Sequence, residues 1–129
     1  MILDIQQRHL EPNVTVLDFS GRLQLGSDLG SAEHRIRKLV QEGRKNLVFE
    51  FSKLESIDSA GLGMILLMSA TTRDAGGHFR LVAPNHRVAA VLKTSRVYEM
   101  LSVHADIDTA LSSISSEVTA SRSPELNES

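Results

Sequence analysis

A short apolar run that leads into a serine at the start of a helical pattern constrains this chain more than any other feature. Residues 47–51 are typical of a buried strand, and residues 57–67 are typical of an apolar helix. Asp58 and Ser59 stand at the start of that helix, and two glycines fall within the next four residues. The pattern predicts a strand, a tight turn and a helix whose first turn carries a serine.

The flanking patterns predict a single α/β domain. Apolar alternation and β-branched residues predict strands over about 2–8, 14–19, 46–51, 78–83 and 100–104. Helical spacing predicts helices that begin near Ser27 or Ser31, near Asp58 or Ser59, after Asn85 and near Ile107. Turn chemistry at 11–13 predicts an initial hairpin, and Gly21 is expected to end its second strand. Helical crossovers predict that the later strands run parallel.

Composition narrows the classes of function. The chain has no cysteine, which excludes thiol catalysis, cysteine-bound zinc and disulfides. Fourteen basic residues face sixteen acidic ones without forming a basic stripe, so we expect no direct nucleic-acid binding. The longest apolar stretch, 62–68, is too short for a membrane span. We expect no secretory leader, and we expect a cytoplasmic protein without membrane contact. The five histidines lack metal-ligand spacing, and we expect neither a metal nor a cofactor.

The position of Ser59 has two interpretations at the level of sequence. The serine stands where a helix N-cap belongs, so its hydroxyl can simply cap the helix. It can also accept a phosphate, because the free N–H groups and the positive end of the helix dipole tolerate an anion there. Gly61 and Gly63 would let another protein approach the hydroxyl closely. Asp58 can orient the hydroxyl, repel a phosphate or act as the cap itself.

The helix that follows Ser59 carries no charged residue up to Thr72. A helical wheel predicts a sheet-facing side formed by Leu62, Ile65, Leu66 and Ser69. It predicts an opposite side formed by Ala60, Met64, Leu67, Met68 and Thr71. Either both sides are buried, or the second side is a docking patch beside the serine. The hypothesis from the pattern is that Met64, Leu67 and Met68 contribute to a partner interface.

The motif Asp58-Ser59-Ala60-Gly61-Leu62-Gly63, after an apolar strand, resembles the anti-sigma factor antagonist branch of the STAS domain family. Gly21-Arg22-Leu23, Ala75-Gly76-Gly77 and the stretch from Leu81 to Leu92 support the resemblance, which covers about residues 1–116. It implies a mixed sheet of four to five strands with about four helices packed mainly on one side. Residues 117–129, rich in serine and glutamate, are expected to form a disordered tail outside this domain.

The resemblance also implies a regulatory binding protein in a phosphorylation-controlled partner switch, not an enzyme. Ser59 would accept phosphate from a serine kinase that doubles as an anti-sigma factor, and a PP2C-type phosphatase would reset it. The protein is expected to be a monomer or weak dimer. The expected partner-binding residues lie in the motif, on its helix and in the loop after the second strand: Arg22, Gln24, Asp58, Ala60, Gly61, Gly63, Met64, Leu67 and Met68.

This chain departs from the family in the loop after the second strand. The family often has Gly-Glu-Leu-Asp there, whereas this sequence has Gly21-Arg22-Leu23-Gln24. A basic and a neutral residue thus replace an acidic pair near the edge that faces the kinase in the family. A divergent kinase or another regulator is therefore an alternative to a standard anti-sigma partner.

Three other interpretations remain at the level of sequence. A serine hydrolase would need a positioned base, and Ser59 does not lie in a Gly-x-Ser-x-Gly elbow. A nucleotide-binding module would use the glycine-bearing loops at 26–30 and 61–63, neither of which fits a known phosphate-binding fingerprint. A non-catalytic scaffold in a signalling complex would use Ser59 only as a helix cap.

Overall fold

The structure, a computed structural model, describes residues 2–83 and 85–128, with side chains as far as Glu117. Strands and helices alternate after an initial hairpin. The elements are β1 (Asp4–Leu10), β2 (Val14–Leu23), α1 (Ser27–Gln41), β3 (Asn46–Ile57), α2 (Ser59–Asp74), β4 (His78–Val82), α3 (His86–Thr94), α4 (Val97–Met100), β5 (Val103–His104) and α5 (Ile107–Glu128). This order confirms the predicted α/β class.

The five strands form one mixed sheet in the order β1-β2-β3-β4-β5. β1 pairs antiparallel with β2, which confirms the predicted hairpin, and the remaining neighbours pair in parallel. β2 and β3 share the longest parallel ladder, and Leu23 at the end of β2 lies opposite Ile57 at the end of β3. The loops that follow these two strands therefore meet at one edge of the sheet.

Two separate apolar cores cover the two faces of the sheet. The larger core joins residues of α1, α2, α3 and α4 to one face, and it contains all four phenylalanines of the chain. Phe49 lies at the centre of this group, with ring centroids 5.0 Å from Phe19 and 4.7 Å from Phe79. A smaller core packs α5 on the other face. The prediction of helices mainly on one side is confirmed, since α5 alone among the described helices lies on the second face.

The predicted limits of several strands are wrong. β3, with an expected end at Phe51, continues to Ile57. Gly21 does not end β2, which continues to Leu23 through register shifts. Gly21 has a φ of +88°, and a Cβ there would lie 2.3 Å from the Ile2 carbonyl oxygen, so glycine lets the strand bend against the chain's first residues. The strand expected over 100–104 contains only Val103–His104, because Val97–Met100 forms a short helix before it.

The final helix also extends past residue 114, where its apolar spacing stops. α5 reaches Glu128 and therefore overlaps the segment expected to be a tail. Glu117 lies on this helix and contacts β4, so the contacts of the domain extend at least one residue past the expected boundary at 116. The disorder of the terminal segment stays a prediction.

A buried guanidinium anchors α5 to the sheet. Arg80 of β4 donates from Nε to the Ser113 hydroxyl at 2.6 Å and from Nη1 to the Phe79 carbonyl oxygen at 2.8 Å. Its remaining nitrogen lies 2.9 Å from a Glu117 carboxylate oxygen, whose other oxygen lies 2.8 Å from His78 Nδ1. The hydrogen bond from Arg80 is the largest cause that lowers the pKa of Glu117, and His78 adds to it. Ser113 and Glu117 of α5 thus provide the hydrogen bonds and the negative charge that the buried Arg80 guanidinium needs.

We predict that Glu117→Gln lowers the free energy of unfolding at pH 7 by about 1 kcal/mol, because a charge-assisted bond is lost at a half-exposed carboxylate. The pKa of Glu117 is lower in the folded state, so its stabilisation is fully present above the unfolded pKa and is lost as the pH falls through the folded pKa. Urea unfolding of both proteins from pH 7 to pH 3 should show the difference shrinking at low pH. Glu99→Gln, at an exposed position, serves as the control. A pH-independent difference would contradict the role of the charge.

Candidate partner-binding site at the start of α2

Asp58, and not Ser59, caps α2. Its backbone is extended, and its carboxylate oxygen Oδ1 accepts the Gly61 N–H at 2.9 Å. The second oxygen, Oδ2, accepts the N–H of Leu25 from the loop after β2, also at 2.9 Å. The interpretation of Asp58 as the cap is confirmed, and the interpretation of Ser59 as only a cap is wrong. A carboxylate has enough acceptor sites to serve both N–H groups at once.

Ser59 is the first residue of α2 and is exposed to solvent. Asp58 already satisfies the N–H group that a capping serine would accept, so the Ser59 hydroxyl has no capping task. Within the described part of the chain, the hydroxyl is paired with no other group at hydrogen-bonding distance. It is therefore available to a reagent or an enzyme that approaches from solvent.

The pKa of Asp58 is lower than that of an ordinary aspartate. Partial desolvation is the largest single influence and raises the pKa. Together the N–H groups of Leu25, Gly61 and Ala60 outweigh it, because they stabilise the ionised carboxylate. Asp58 is thus an anion at neutral pH, directly beside the Ser59 hydroxyl.

The ends of β2 and β3 are joined tightly beneath this serine. The Asp58 N–H donates to the Leu23 carbonyl oxygen at 3.2 Å, which extends the pairing of the two strands into the loop. A Cβ on Gly61 would lie 2.5 Å from the same oxygen, so the helix can begin here only with glycine at this position. A Cβ on Gly63 would meet nothing within 4 Å. The sequence left open that Gly63 is needed for tight packing of the helix. The structure shows tight packing at Gly61 instead.

An exposed stripe extends along α2 from the serine. Ser59, Gly63 and Leu67 follow one another at four-residue spacing, which places them on one side of the helix, and all three are exposed. Leu67 keeps 45% of its surface accessible and Leu25 keeps 80%. Leu25 is held beside the helix by the bond from its N–H to Asp58. We call Leu25, Ser59, Gly63 and Leu67 the switch surface.

The helical wheel was wrong about two members of the expected docking patch. Met64 and Met68 are only 4% and 0% accessible and belong to the large core. The physical reason is that α2 packs against both the sheet and α1, so more of its circumference is buried than a surface helix usually buries. Ala60 is partly buried, and Leu67 is the exposed member of the set.

The two residues that depart from the family lie near this surface. Gln24 is exposed in the loop that contains Leu25, and Arg22 is exposed near the end of β2, opposite Ser56 of β3. Arg22 alternates with the buried Leu23, so its side chain points away from the large core. The sequence analysis did not predict Leu25 as a site residue. An apolar residue in a loop, between Gln24 and Gly26, could have indicated it.

Across residues 2–83 and 85–117, no group of three or more histidine, aspartate or glutamate side chains is arranged to hold a metal ion. No helix within residues 2–83 and 85–128 combines the length and the apolar character needed to cross a membrane.

Comparison with known proteins identifies the family. The model of the STAS domain matches residues 6–110 of this chain. The chain belongs to the STAS domain family. A Thermotoga neapolitana protein named as an anti-sigma factor antagonist homologue is 31% identical over 77 residues, which are 60% of this chain and 68% of the relative.

Solved structures share the fold of this STAS domain. An anti-sigma factor antagonist from Mycobacterium paratuberculosis superposes with a TM-score of 0.73 at 20% identity, covering 88% of this chain and 94% of that one. The phosphorylated form of the Bacillus cell fate determinant SpoIIAA superposes with a TM-score of 0.66 at 18% identity, covering 86% and 99%. At these identities the likeness concerns the fold.

The two glycines of this STAS domain's motif should respond oppositely to the same change. Gly61→Ala should lower the free energy of unfolding by about 1–3 kcal/mol, because the new methyl group overlaps the Leu23 carbonyl oxygen. Gly63→Ala should raise it by about 0.5–1 kcal/mol, because the helix gains propensity without a clash. Chemical denaturation of both variants measures the pair. Equal effects would contradict the packing described here.

Proposed function

We propose that this STAS domain is an anti-sigma factor antagonist-like regulatory binding protein, without catalysis of its own, in a phosphorylation-controlled partner switch. Ser59 is the phosphoacceptor. The proposal rests on one observation at the start of α2. Asp58 caps the helix, and the Ser59 hydroxyl is exposed to solvent. The family and the name of the Thermotoga neapolitana relative support the class of function.

The helix start can accept a phosphate without loss of the fold. A phosphoserine carries about −1.5 to −2 charges at pH 7, and the positive end of a helix dipole favours such an anion. The neighbouring Asp58 carboxylate opposes it, so the local field becomes strongly negative. The consequence of phosphorylation is therefore expected at the surface and not in the core.

The switch surface changes character when Ser59 is phosphorylated. In the free hydroxyl form it combines two exposed leucines with a glycine that leaves the helix backbone open. A partner that buries this apolar surface would also have to desolvate a dianion after phosphorylation. Burial of an unpaired charge is far less favourable than burial of a hydroxyl that finds a hydrogen bond. Phosphorylation is thus expected to release the partner.

The proposed partners are a serine kinase that also serves as the anti-sigma factor and a PP2C-type phosphatase. Both need access to the Ser59 hydroxyl or its phosphate, and the absence of a side chain at Gly63 supports that access. Arg22 and Gln24 stand where the family often carries acidic residues, so we expect the cognate partner to differ in charge on the facing surface.

The surroundings of Ser59 support a passive acceptor. Three of the five histidines make described hydrogen bonds, and none of these bonds reaches Ser59: His9 bonds Thr15 and Arg44, His78 bonds Glu117, and His104 bonds Ser113. A serine nucleophile requires a general base within hydrogen-bonding reach. Ser59 would instead receive the phosphoryl group from the active site of another protein.

The switch is tested with Ser59→Ala and Ser59→Asp in the protein's own host. Ser59→Ala should abolish phosphate at this site and keep the partner bound. Ser59→Asp should weaken partner binding at least about tenfold, or about 1.4 kcal/mol, because it places a permanent anion on the switch surface. Phosphosite mass spectrometry and quantitative pull-down of both variants provide the measurement. Identical partners for all forms, with no phosphate on Ser59 in any growth condition, would refute the proposal.

The switch surface is tested with two leucines and one buried methionine. Leu25→Ser and Leu67→Ser should weaken partner binding by about 1 kcal/mol or more each, with little change in folding stability, because both side chains are exposed. Met64→Ser should instead lower the free energy of unfolding by about 2–5 kcal/mol, because that side chain is in the core. Thermal melts and titration with the captured partner separate the two effects. Unchanged binding in both leucine variants would exclude this surface.

A further inference from the structure

β1 leaves one edge of the sheet open, on the side away from β2. Within the described part of the chain, it is the end strand of the sheet and pairs with β2 alone. The Ile5 carbonyl oxygen accepts a hydrogen bond from Arg35 of α1, so the peptide group of Ile5 points away from β2. Because peptide groups alternate in an antiparallel pair, those of Gln7 and His9 also face outward, and the same alternation continued past Asp4 would turn that of Leu3 outward. Such an edge is a template for another strand.

We propose that β1 pairs with the β1 strand of a second copy of this chain, antiparallel, in a two-fold register centred on Gln6. The pairing is independent of the proposed switch at Ser59. In this register the numbers of facing residues sum to twelve, so Leu3 faces His9 and Ile5 faces Gln7 of the second copy. All four outward-facing residues then find a partner with the correct hydrogen-bonding parity.

Charge complementarity selects this register. Asp4, Gln6 and Arg8 lie on one side of β1 and are exposed. The register centred on Gln6 places Asp4 of each copy opposite Arg8 of the other. Because the pairing is symmetric, the dimer contains two such ion pairs. A shift of the centre to Ile5 or Gln7 would place Asp4 opposite Gln6 or Leu10 instead. Cross-strand pairs of opposite charge stabilise a sheet, so the alternatives are weaker.

Two further features agree with the same register. Arg8 is already paired with Asp18 at 2.6 Å but keeps about half of its side chain accessible, so it can reach a second carboxylate. Ile2 is 80% exposed, and the register places it opposite Leu10 of the second copy, where its apolar surface would be covered. The exposed Ile2 and the charge pairs thus both favour a second copy of this chain as the partner of β1.

Arg35 limits the strength of the pairing. Its guanidinium lies across the edge, donating to the Ile5 carbonyl oxygen and to the Gln7 side-chain oxygen, both at 2.9 Å. The second copy needs the same carbonyl oxygen, so Arg35 must move aside. A pair of edge strands is also smaller than a standard stable interface. The dimer is therefore weak and transient, and Arg35→Ala should strengthen it.

The absence of cysteine from the chain permits a specific test by crosslinking. Gln6→Cys places two thiols at the symmetry centre, where facing Cα atoms at a pair without mutual hydrogen bonds lie about 4.5 Å apart. That spacing suits a disulfide. Under mild oxidation, Gln6→Cys should form a covalent dimer at least about tenfold faster than the exposed control Asp74→Cys. Intact mass and non-reducing electrophoresis measure the rate.

The charge pair is tested in the Gln6→Cys protein without disturbing the Arg8–Asp18 ion pair. Asp4→Asn should slow crosslinking and Asp4→Lys should slow it further, by about tenfold in total, while Asp74→Lys makes the same change in net charge and should have no effect. Arg35→Ala should accelerate crosslinking. Circular dichroism confirms that each variant is folded. A Gln6→Cys rate equal to that of Asp74→Cys, or a rate insensitive to Asp4→Lys in the folded protein, would overturn the proposal.

Discussion

The Asp58 carboxylate is the interaction on which the functional end of this molecule depends. It accepts one N–H from the loop after β2 and one from the first turn of α2, and so ties the helix start to Leu25, which lies 33 residues before Asp58. Because it completes the helix start, Ser59 is left free. The same carboxylate fixes Leu25 beside the helix. The Asp58 carboxylate thus determines the helix cap, the position of the loop and the exposure of Ser59.

The parallel pairing of β2 and β3 brings the partners of Asp58 together. The ladder extends to Leu23 and Ile57, and the Asp58 N–H continues it by one more bond. Gly61 is needed because the helix backbone passes directly over the Leu23 carbonyl oxygen. The Asp-Ser-Ala-Gly motif is therefore a structural junction first. Its exposed serine supports the proposed regulatory use without any change in the core.

Two arginines have different roles at the second face and at the open edge of the sheet. On one face, α5 is held by a buried guanidinium whose charge is balanced from the helix. At the open edge, Arg35 covers part of a strand that could otherwise pair without restraint. Ionic and polar groups in this protein therefore position elements and limit association, while the phenylalanine-rich core supplies most of the apolar burial.

The sequence by itself determined the class, order and approximate limits of the elements, because apolar periodicity and turn residues are local signals. It also singled out the Asp58–Gly63 motif and the family. Tertiary structure decided which of Asp58 and Ser59 caps the helix, since the second ligand of Asp58 comes from the loop after β2. It also decided that Met64 and Met68 are buried and Leu67 is exposed, because α2 packs against α1 as well as against the sheet.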